Sequence, residues 1–267
     1  MIKIALEVCS LASGSSGNSI FIASNKKKIL IDAGLSGKRV SERLAEINVV
    51  GEDLDAIFIT HEHKDHIKGV GILSRRFNLP IYATEKTWSA AEKDLGKIKS
   101  KNRCLIDKTG LEIGGLEINS FSTPHDAVDP VGYTIKNKGK KIALATDIGC
   151  MTQEIIDNLI GSEMVILESN HDLEMLKAGP YPWHLKKRIM GNEGHLSNDD
   201  AAATVVELVE NSVKCILLAH LSKDNNVPEL AHLTIKNMVV DAGMELGRDL
   251  ELGFAGREQV SRLFKVG

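Results

Sequence analysis

Short apolar runs, each closed by a polar residue, recur along the whole chain, with stretches of helical spacing between them. Residues 2–12 predict a strand, followed by the turn Ser13-Gly14-Ser15-Ser16-Gly17-Asn18-Ser19. Residues 20–23 and 29–31 predict a hairpin across Asn25 and three lysines. Residues 36–47 have helical spacing, with Val40, Leu44 and Ile47 on one face. A short buried strand is expected at 56–59 and a helix at 67–77, then a strand at 80–83 and a helix at 85–94. Two or three strands fill 103–121, turning at Gly114-Gly115. Residues 132–135 and 142–145 read as a second hairpin, with Asn137-Lys138-Gly139 at its turn. Thr152 caps a helix to about residue 160, and 164–167 is a strand. Pro180 and Pro182 break a mainly helical region, 173–194. Ser197-Asn198-Asp199-Asp200 has the serine cap and first-turn acids of a helix start. A strand at 215–219, a helix opened by Pro228 and a last strand near 250–254 complete the chain. The order predicts an α/β (α+β) chain of two packed sheets with helices outside. No repeat or linker interrupts it, so residues 1–267 are expected to form one domain.

Composition adds limits. The 267 residues are 43% hydrophobic but only 4% aromatic, so aliphatic side chains must fill the core. A net charge of -3 gives no global pull toward nucleic acid, although Lys186-Lys187-Arg188 beside Trp183 offers a local basic and aromatic surface. Cys9, Cys104, Cys150 and Cys215 form no CxxC pair and read as reduced thiols of a cytoplasmic protein. No apolar run reaches the ~18 residues that a membrane span needs, and the N-terminus is a poor signal peptide.

Candidate chemistry concentrates where the predicted strands end. Residues 56–59 lead directly into Thr60-His61-Glu62-His63-Lys64-Asp65-His66. Imidazole and carboxylate are ligands for zinc, manganese and iron. In extended chain His61 and His63 point to one side, while Asp65 and His66 fall where the next helix begins. Asp32, His125, Asp147, Glu168 and His220 also follow or nearly follow apolar strands. One ion can then take His61, His63 and His125, a second Asp65, His66 and His220, with Asp147 bridging both. Such a pair, ~3.5–4 Å apart, lowers the pKa of a shared water and clamps the oxygens of a displacement.

The cluster His61-Glu62-His63-Lys64-Asp65-His66, with His125, Asp147 and His220, resembles the metallo-β-lactamase superfamily over essentially the whole chain. That resemblance implies a four-layer αββα sandwich with two divalent ions, zinc or manganese with iron possible, at the edge between its halves. It also implies that Asp32 orients a ligand histidine from behind. The stretches Leu11-Ala12-Ser13-Gly14-Ser15-Ser16-Gly17-Asn18-Ser19, Glu168-Ser169-Asn170-His171-Asp172, Gly194-His195-Leu196-Ser197 and Leu218-Ala219-His220-Leu221-Ser222 are similar to the YycJ (WalJ) family. This closer likeness implies a 5′-to-3′ exonuclease on DNA, in which a hydroxide between the ions attacks phosphorus.

The remaining motifs suit a phosphodiester. Gly194-His195-Leu196-Ser197 precedes a capped helix whose N-terminus suits phosphate, and His195 can protonate the leaving oxygen. His171, His195 and Ser197 are candidate substrate contacts, Asp65 and His195 candidate catalytic residues, and Glu168 a support behind the ligands. The loop at 13–19 can present N–H groups to phosphate as a nest. Two alternatives remain: a thioester or lactone hydrolase on the same ions, and a non-catalytic metal-binding protein. DNA is the expected partner ahead of RNA or a small phosphodiester, with no membrane.

Overall fold

The computed structural model describes residues 5–267. It holds two compact units: one runs to Ser120 and adds Ala127–Lys140 and Ala255–Gly267, and the other comprises Phe121–Asp126 and Lys141–Phe254.

The first unit opens with β1 (Leu6–Ala12), β2 (Ser19–Ala23) and β3 (Lys28–Ile31). These pair antiparallel, with Ile20 opposite Ile31. The expected start of the first strand at residues 2–4 lies outside the described residues. Next come α1 (Gly37–Glu46), β4 (Ala56–Phe58), α2 (Lys64–Ile67), α3 (Val70–Phe77), β5 (Ile81–Ala83), α4 (Glu85–Leu95) and β6 (Arg103–Leu105). The Ser36 hydroxyl caps α1, accepting from Arg39 N–H, and Val40 and Leu44 form its buried face. From β3 to β6 the pairing is parallel. Parallel strands are covered on both faces, which is why β4 is wholly apolar and wholly buried. Phe58 on β4 stacks on Tyr82 at 4.7 Å and meets the ring of Tyr133 edge-on at 5.8 Å. Tyr133 lies on β9 (Val131–Asn137), which follows β7 (Leu111–Ile113) and β8 (Leu116–Ser122).

Two features of this unit depart from the sequence reading. The single helix expected at 67–77 is two helices, and the first begins earlier, at Lys64. The break falls at Gly69, whose N–H bonds the Ala33 carbonyl at 2.7 Å. A Cβ there would lie 2.5 Å from the Leu35 carbonyl oxygen, so only glycine permits the approach. The second departure is an edge strand, β14 (Phe264–Val266), paired antiparallel with β1. Three residues carry too little alternation to be read as a strand, and the pairing with β1 supplies what local pattern lacks. The resulting sheet has the order β14-β1-β2-β3-β4-β5-β6.

The second unit carries β10 (Lys140–Ala145, from Lys141), β11 (Met164–Glu168), β12 (Cys215–Ala219) and β13 (Glu251–Phe254), paired parallel in that order. Its helices are α5 (Gln153–Leu159), α6 (Leu173–Ala178), α7 (Trp183–Ile189), α8 (Asn198–Glu210) and α9 (Pro228–Asp241). Ala201, Ala202, Val205 and Leu208 of α8 join Val165, Leu167, Ile216 and Leu218 in one buried cluster. Strand order within this unit is β13-β12-β11-β10. The register aligns Ala145 with Leu167 and Glu168 with Ala219. The carboxyl ends of three neighbouring strands therefore coincide, and whatever follows them gathers at one sheet edge.

Phe58→Ala removes a buried ring from between two others, and is expected to lower the unfolding free energy by about 3–5 kcal/mol. Equilibrium urea unfolding checks this; a loss below about 1 kcal/mol would mean that the ring stack carries little of this unit's stability.

Candidate metal centre

In the first unit the centre is organised by Asp32, the residue after β3. Asp32 is buried, and its N–H donates to the Phe58 carbonyl at 2.7 Å. Its Oδ1 accepts the Thr60 N–H at 2.9 Å, and its Oδ2 accepts the Thr60 hydroxyl at 2.8 Å and His66 Nδ1–H at 2.7 Å. Burial pushes the Asp32 carboxyl up, and the adjoining His66 imidazole and the Thr60 hydrogen bonds oppose that rise. The Thr60 oxygen also lies 3.0 Å from His61 Nδ1 and accepts its proton. Both imidazoles thus have Nδ1 tied to one buried polar hub, which leaves Nε2 as the candidate ligand atom. The rings of His61 and His66 lie 4.0 Å apart, and those of His61 and His63 4.6 Å apart. His63 precedes α2 as its cap residue, and Asp65 and His66 lie in its first turn. Asp65 is held by the glycine-rich loop: Asn18 N–H donates to its carbonyl at 2.7 Å. A Cβ on Gly34 would fall 1.6 Å from that same carbonyl oxygen, so glycine is required there.

Three of the N–H groups that the loop at 13–19 could have offered to phosphate are already engaged. Gly17 N–H bonds the Gly14 carbonyl, Gly14 N–H bonds Asn18 Oδ1, and Asn18 N–H bonds Asp65. Those donors brace the loop instead. Asn18 Nδ2 lies 2.9 Å from His66 Nε2, so this amide guards the ligand atom. Sequence reading missed Thr60 and Asn18 as working residues. The positions beside the His61–His66 motif and inside the glycine-rich loop were the available signal.

In the second unit the hub is Glu168, the last residue of β11. It is fully buried, and four groups donate to it. Oε1 receives His195 Nδ1–H and His220 Nδ1–H, both at 2.8 Å. Oε2 receives Ile148 N–H at 2.7 Å and Leu196 N–H at 3.2 Å. Burial alone would raise the Glu168 carboxyl, but the two imidazoles outweigh it and hold it well below the usual range. Asp147, Glu168, His195 and His220 each offer a ligand atom within 4.8 Å of the others. With both its oxygens engaged, Glu168 is placed as a support that orients two imidazoles, and Asp147 and His220 are left as candidate ligands. Asp147 Oδ1 lies 3.4 Å from His220 Nδ1 and 3.8 Å from His125 Nε2. His125 Nδ1–H donates to the Gly194 carbonyl at 3.0 Å, which leaves Nε2 as its ligand atom. Burial lowers the His125 pKa and the Asp147 carboxylate opposes this, so a neutral imidazole is favoured.

Backbone geometry serves both hubs. Asp32, Asp147 and His220 have φ of 60°, 59° and 56°. This left-handed region is sparsely used by residues other than glycine and is held only where the surroundings over-determine it. Each of the three directly follows a strand end or stands two residues past it, so the chain reverses sharply while its side chain stays at the sheet edge. Around Glu168 the loops at 168–171 and 195–198 are bound together. Asn170 N–H donates to Leu196 O at 2.9 Å, and Asn198 N–H donates to His171 O at 2.8 Å. The buried amides of Asn170 and Asn226 extend this bracing, Asn170 Nδ2 holding the His220 carbonyl at 2.8 Å. These asparagines were passed over because buried amides have no sequence spacing of their own.

Two of the expected substrate contacts are buried. The Ser197 hydroxyl is buried and engaged, accepting Asp200 N–H at 3.1 Å and donating to Asp200 Oδ2 at 2.6 Å as the cap of α8. His171 is buried, and neither of its ring nitrogens has a hydrogen-bond partner. Burial lowers its pKa to about 4, partly offset by Glu168.

Each unit thus offers imidazoles and carboxylates, oriented from behind by a buried acid, a donor set that suits borderline divalent cations. The Beta-lactamase superfamily domain matches residues 27–220. The chain is 44% identical, over 94% of its length and 95% of the relative's, to "Exodeoxyribonuclease WalJ" of Streptococcus pneumoniae serotype 2. It is 41% identical, over 91% of its length and 92% of the relative's, to "Exodeoxyribonuclease YycJ" of Bacillus anthracis. The chain belongs to the metallo-β-lactamase superfamily and is YycJ-like within it. The solved metallo-β-lactamase fold protein YhfI from Bacillus subtilis shares the fold, with a TM-score of 0.69 and 18% identity over 96% of this chain and 99% of that one.

Asp32→Asn keeps the shape of the side chain but removes the charge behind His66. Divalent-cation affinity measured calorimetrically is expected to fall about 10–100-fold; an unchanged affinity would show that Asp32 supports the fold only. A second expectation concerns acid. The folded chain resists protonating His171 down to about pH 4, whereas the unfolded chain takes that proton near pH 6.5. Its stabilising contribution is therefore complete above pH 6.5 and declines as pH falls toward 4. Between pH 7 and 4.5 the wild type should lose about 2 kcal/mol more than His171→Gln in urea unfolding. Equal losses would refute this reading of His171.

Proposed function

We propose that this chain is a dinuclear metal-dependent phosphodiesterase that degrades DNA, with 5′-to-3′ exonuclease polarity. In this reading His61, His63 and His125 hold one divalent ion, Asp65, His66 and His220 hold the other, and Asp147 serves both. Zinc and manganese suit the donors equally, and iron is compatible. Bound cations would supply Lewis acidity toward phosphate oxygens and lower the pKa of a water.

The observation that carries the reading is the His195–Glu168 pair. A metal site needs ligands and supports for them, but His195 is partly exposed and shares its supporting carboxylate with the ligand His220. Glu168 holds His195 by Nδ1, which leaves Nε2 as the atom that exchanges a proton with a leaving oxygen. That is the role of a general acid in phosphodiester cleavage. His171, neutral and with no partner for either nitrogen, is proposed to contact the substrate phosphate. Ser197 acts through α8, whose capped start it fixes. DNA is favoured because the two near-full-length relatives bear exodeoxyribonuclease names.

Among the described residues no helix is long and apolar enough to cross a membrane. No disulfide joins the four cysteines, which suits the reducing cytoplasm proposed as its location.

The test uses end-labelled duplex DNA. The protein should release labelled mononucleotide early from a 5′ label and late from a 3′ label. Chelation should stop the reaction, and manganese or zinc should restore it. His195→Ala should lower kcat by about 10²–10⁴-fold with little change in KM. Full turnover after chelation, or an unaltered kcat in the variant, would overturn the proposal.

A further inference from the structure

Helix α7 carries a feature that the reaction centre leaves unexplained. Trp183 is 59% exposed, and it is the only aromatic residue among the exposed large hydrophobic side chains of the described residues. The second tryptophan, Trp88, is buried, and its indole N–H is held by the Cys104 carbonyl at 2.7 Å. Lys187, one turn after Trp183, places its ammonium 5.6 Å from the Trp183 ring centroid. Its exposed neighbours on α7 are His184, Lys187 and Arg188, so the helix presents the ring among polar and basic side chains.

The rest of α7 fixes this pair in place. Lys186 is buried and donates to the carbonyls of Lys177 at 2.6 Å and Gly179 at 2.7 Å. Arg188 pairs with Asp126, the residue after His125. His195 N–H donates to the carbonyl of Ile189 at 2.9 Å. The helix is thereby tied to His125 and to His195, both in its own unit. At about 1.5 Å per residue Trp183 stands ~9 Å along the helix from Ile189. No acidic residue occurs in Trp183–Ile189.

We propose that Trp183 and Lys187 form a platform for single-stranded DNA: one base stacks on the indole, and Lys187 meets the adjoining phosphate, a short distance along the strand from the reacting bond. The inference rests on the phosphodiesterase reading above and deepens it by assigning where the strand lies. A flat ring with a cation over one face accepts any base on the other, because every base has a π-face, and an exonuclease that removes successive nucleotides needs that tolerance. The occupant follows from charge and shape together: an exposed ring flanked by a cation, on a helix without acids, complements an anionic strand of stacked rings.

The test uses the full-length, metal-loaded protein and a phosphorothioate-linked oligothymidylate that resists hydrolysis. With Trp88 buried, quenching of tryptophan fluorescence on binding reports Trp183. The expected result is saturable quenching in the wild type. In anisotropy with a labelled oligonucleotide, Kd should rise at least about fivefold in Trp183→Ala and recover in large part in Trp183→Phe. Lys187→Ala should reduce the slope of log K against log salt by about one. In turnover, the ratio of kcat/KM on oligonucleotide to that on bis-p-nitrophenyl phosphate should fall by a similar factor in Trp183→Ala. Absence of quenching, or an unchanged Kd and ratio while both substrates are hydrolysed, overturns the platform and leaves the phosphodiesterase reading intact. Failure to hydrolyse either substrate overturns that reading and the platform with it.

Discussion

A buried carboxylate that accepts hydrogen bonds from imidazole is the interaction on which the rest depends. It occurs twice, once in each unit: Asp32 receives His66 and, through Thr60, His61, while Glu168 receives His195 and His220. A buried acid without partners would be strongly destabilising. Here every oxygen is occupied, so the charge is stabilised and each ring is fixed in one tautomer and one orientation. The reactive face of each histidine is thus set by a residue that never needs to touch metal or substrate. This arrangement also explains why Glu168, although close to Asp147, is better suited to support than to ligation. Its four donors leave it no capacity to spare.

The sheets provide the place for these hubs. Parallel pairing in register brings the carboxyl ends of neighbouring strands together, and the first polar residues beyond those ends meet. Asp32, Asp147 and His220 turn the chain there with left-handed backbone, a local strain that the surrounding hydrogen bonds sustain. Asn170 holds the turn carrying His220, Asn226 holds the Ser169 and Asn170 carbonyls, and Asn18 and Gly34 hold Asp65. Stability and the candidate site are therefore coupled: the strands that build each core end in the residues proposed to do the chemistry.

Much of this was legible in the chain. The His61–His66 motif has a spacing that chemistry rarely produces by accident, and the strand-end positions of Asp32, Asp147, Glu168 and His220 are visible as polar residues after apolar runs. Helix caps at Thr152 and Ser197 were readable because capping depends on local sequence. The break at Gly69 was not, because it answers to the carbonyls of Ala33 and Leu35, residues remote in the sequence. Strand β14 was missed because its pairing with β1 spans almost the whole chain. Asn18 looked like part of a phosphate-binding turn, yet tertiary contact with Asp65 and His66 gives it another task. Ser197 looked like a substrate contact, although its hydroxyl was already committed to Asp200 by the same capping pattern that announced the helix.

The most direct test of the account is to count metal ions. After equilibrium dialysis against manganese or zinc, mass spectrometry of the folded protein should find two ions per chain, and one or fewer in His220→Ala. A folded wild-type chain that retains none, or a variant that still retains two, would contradict it.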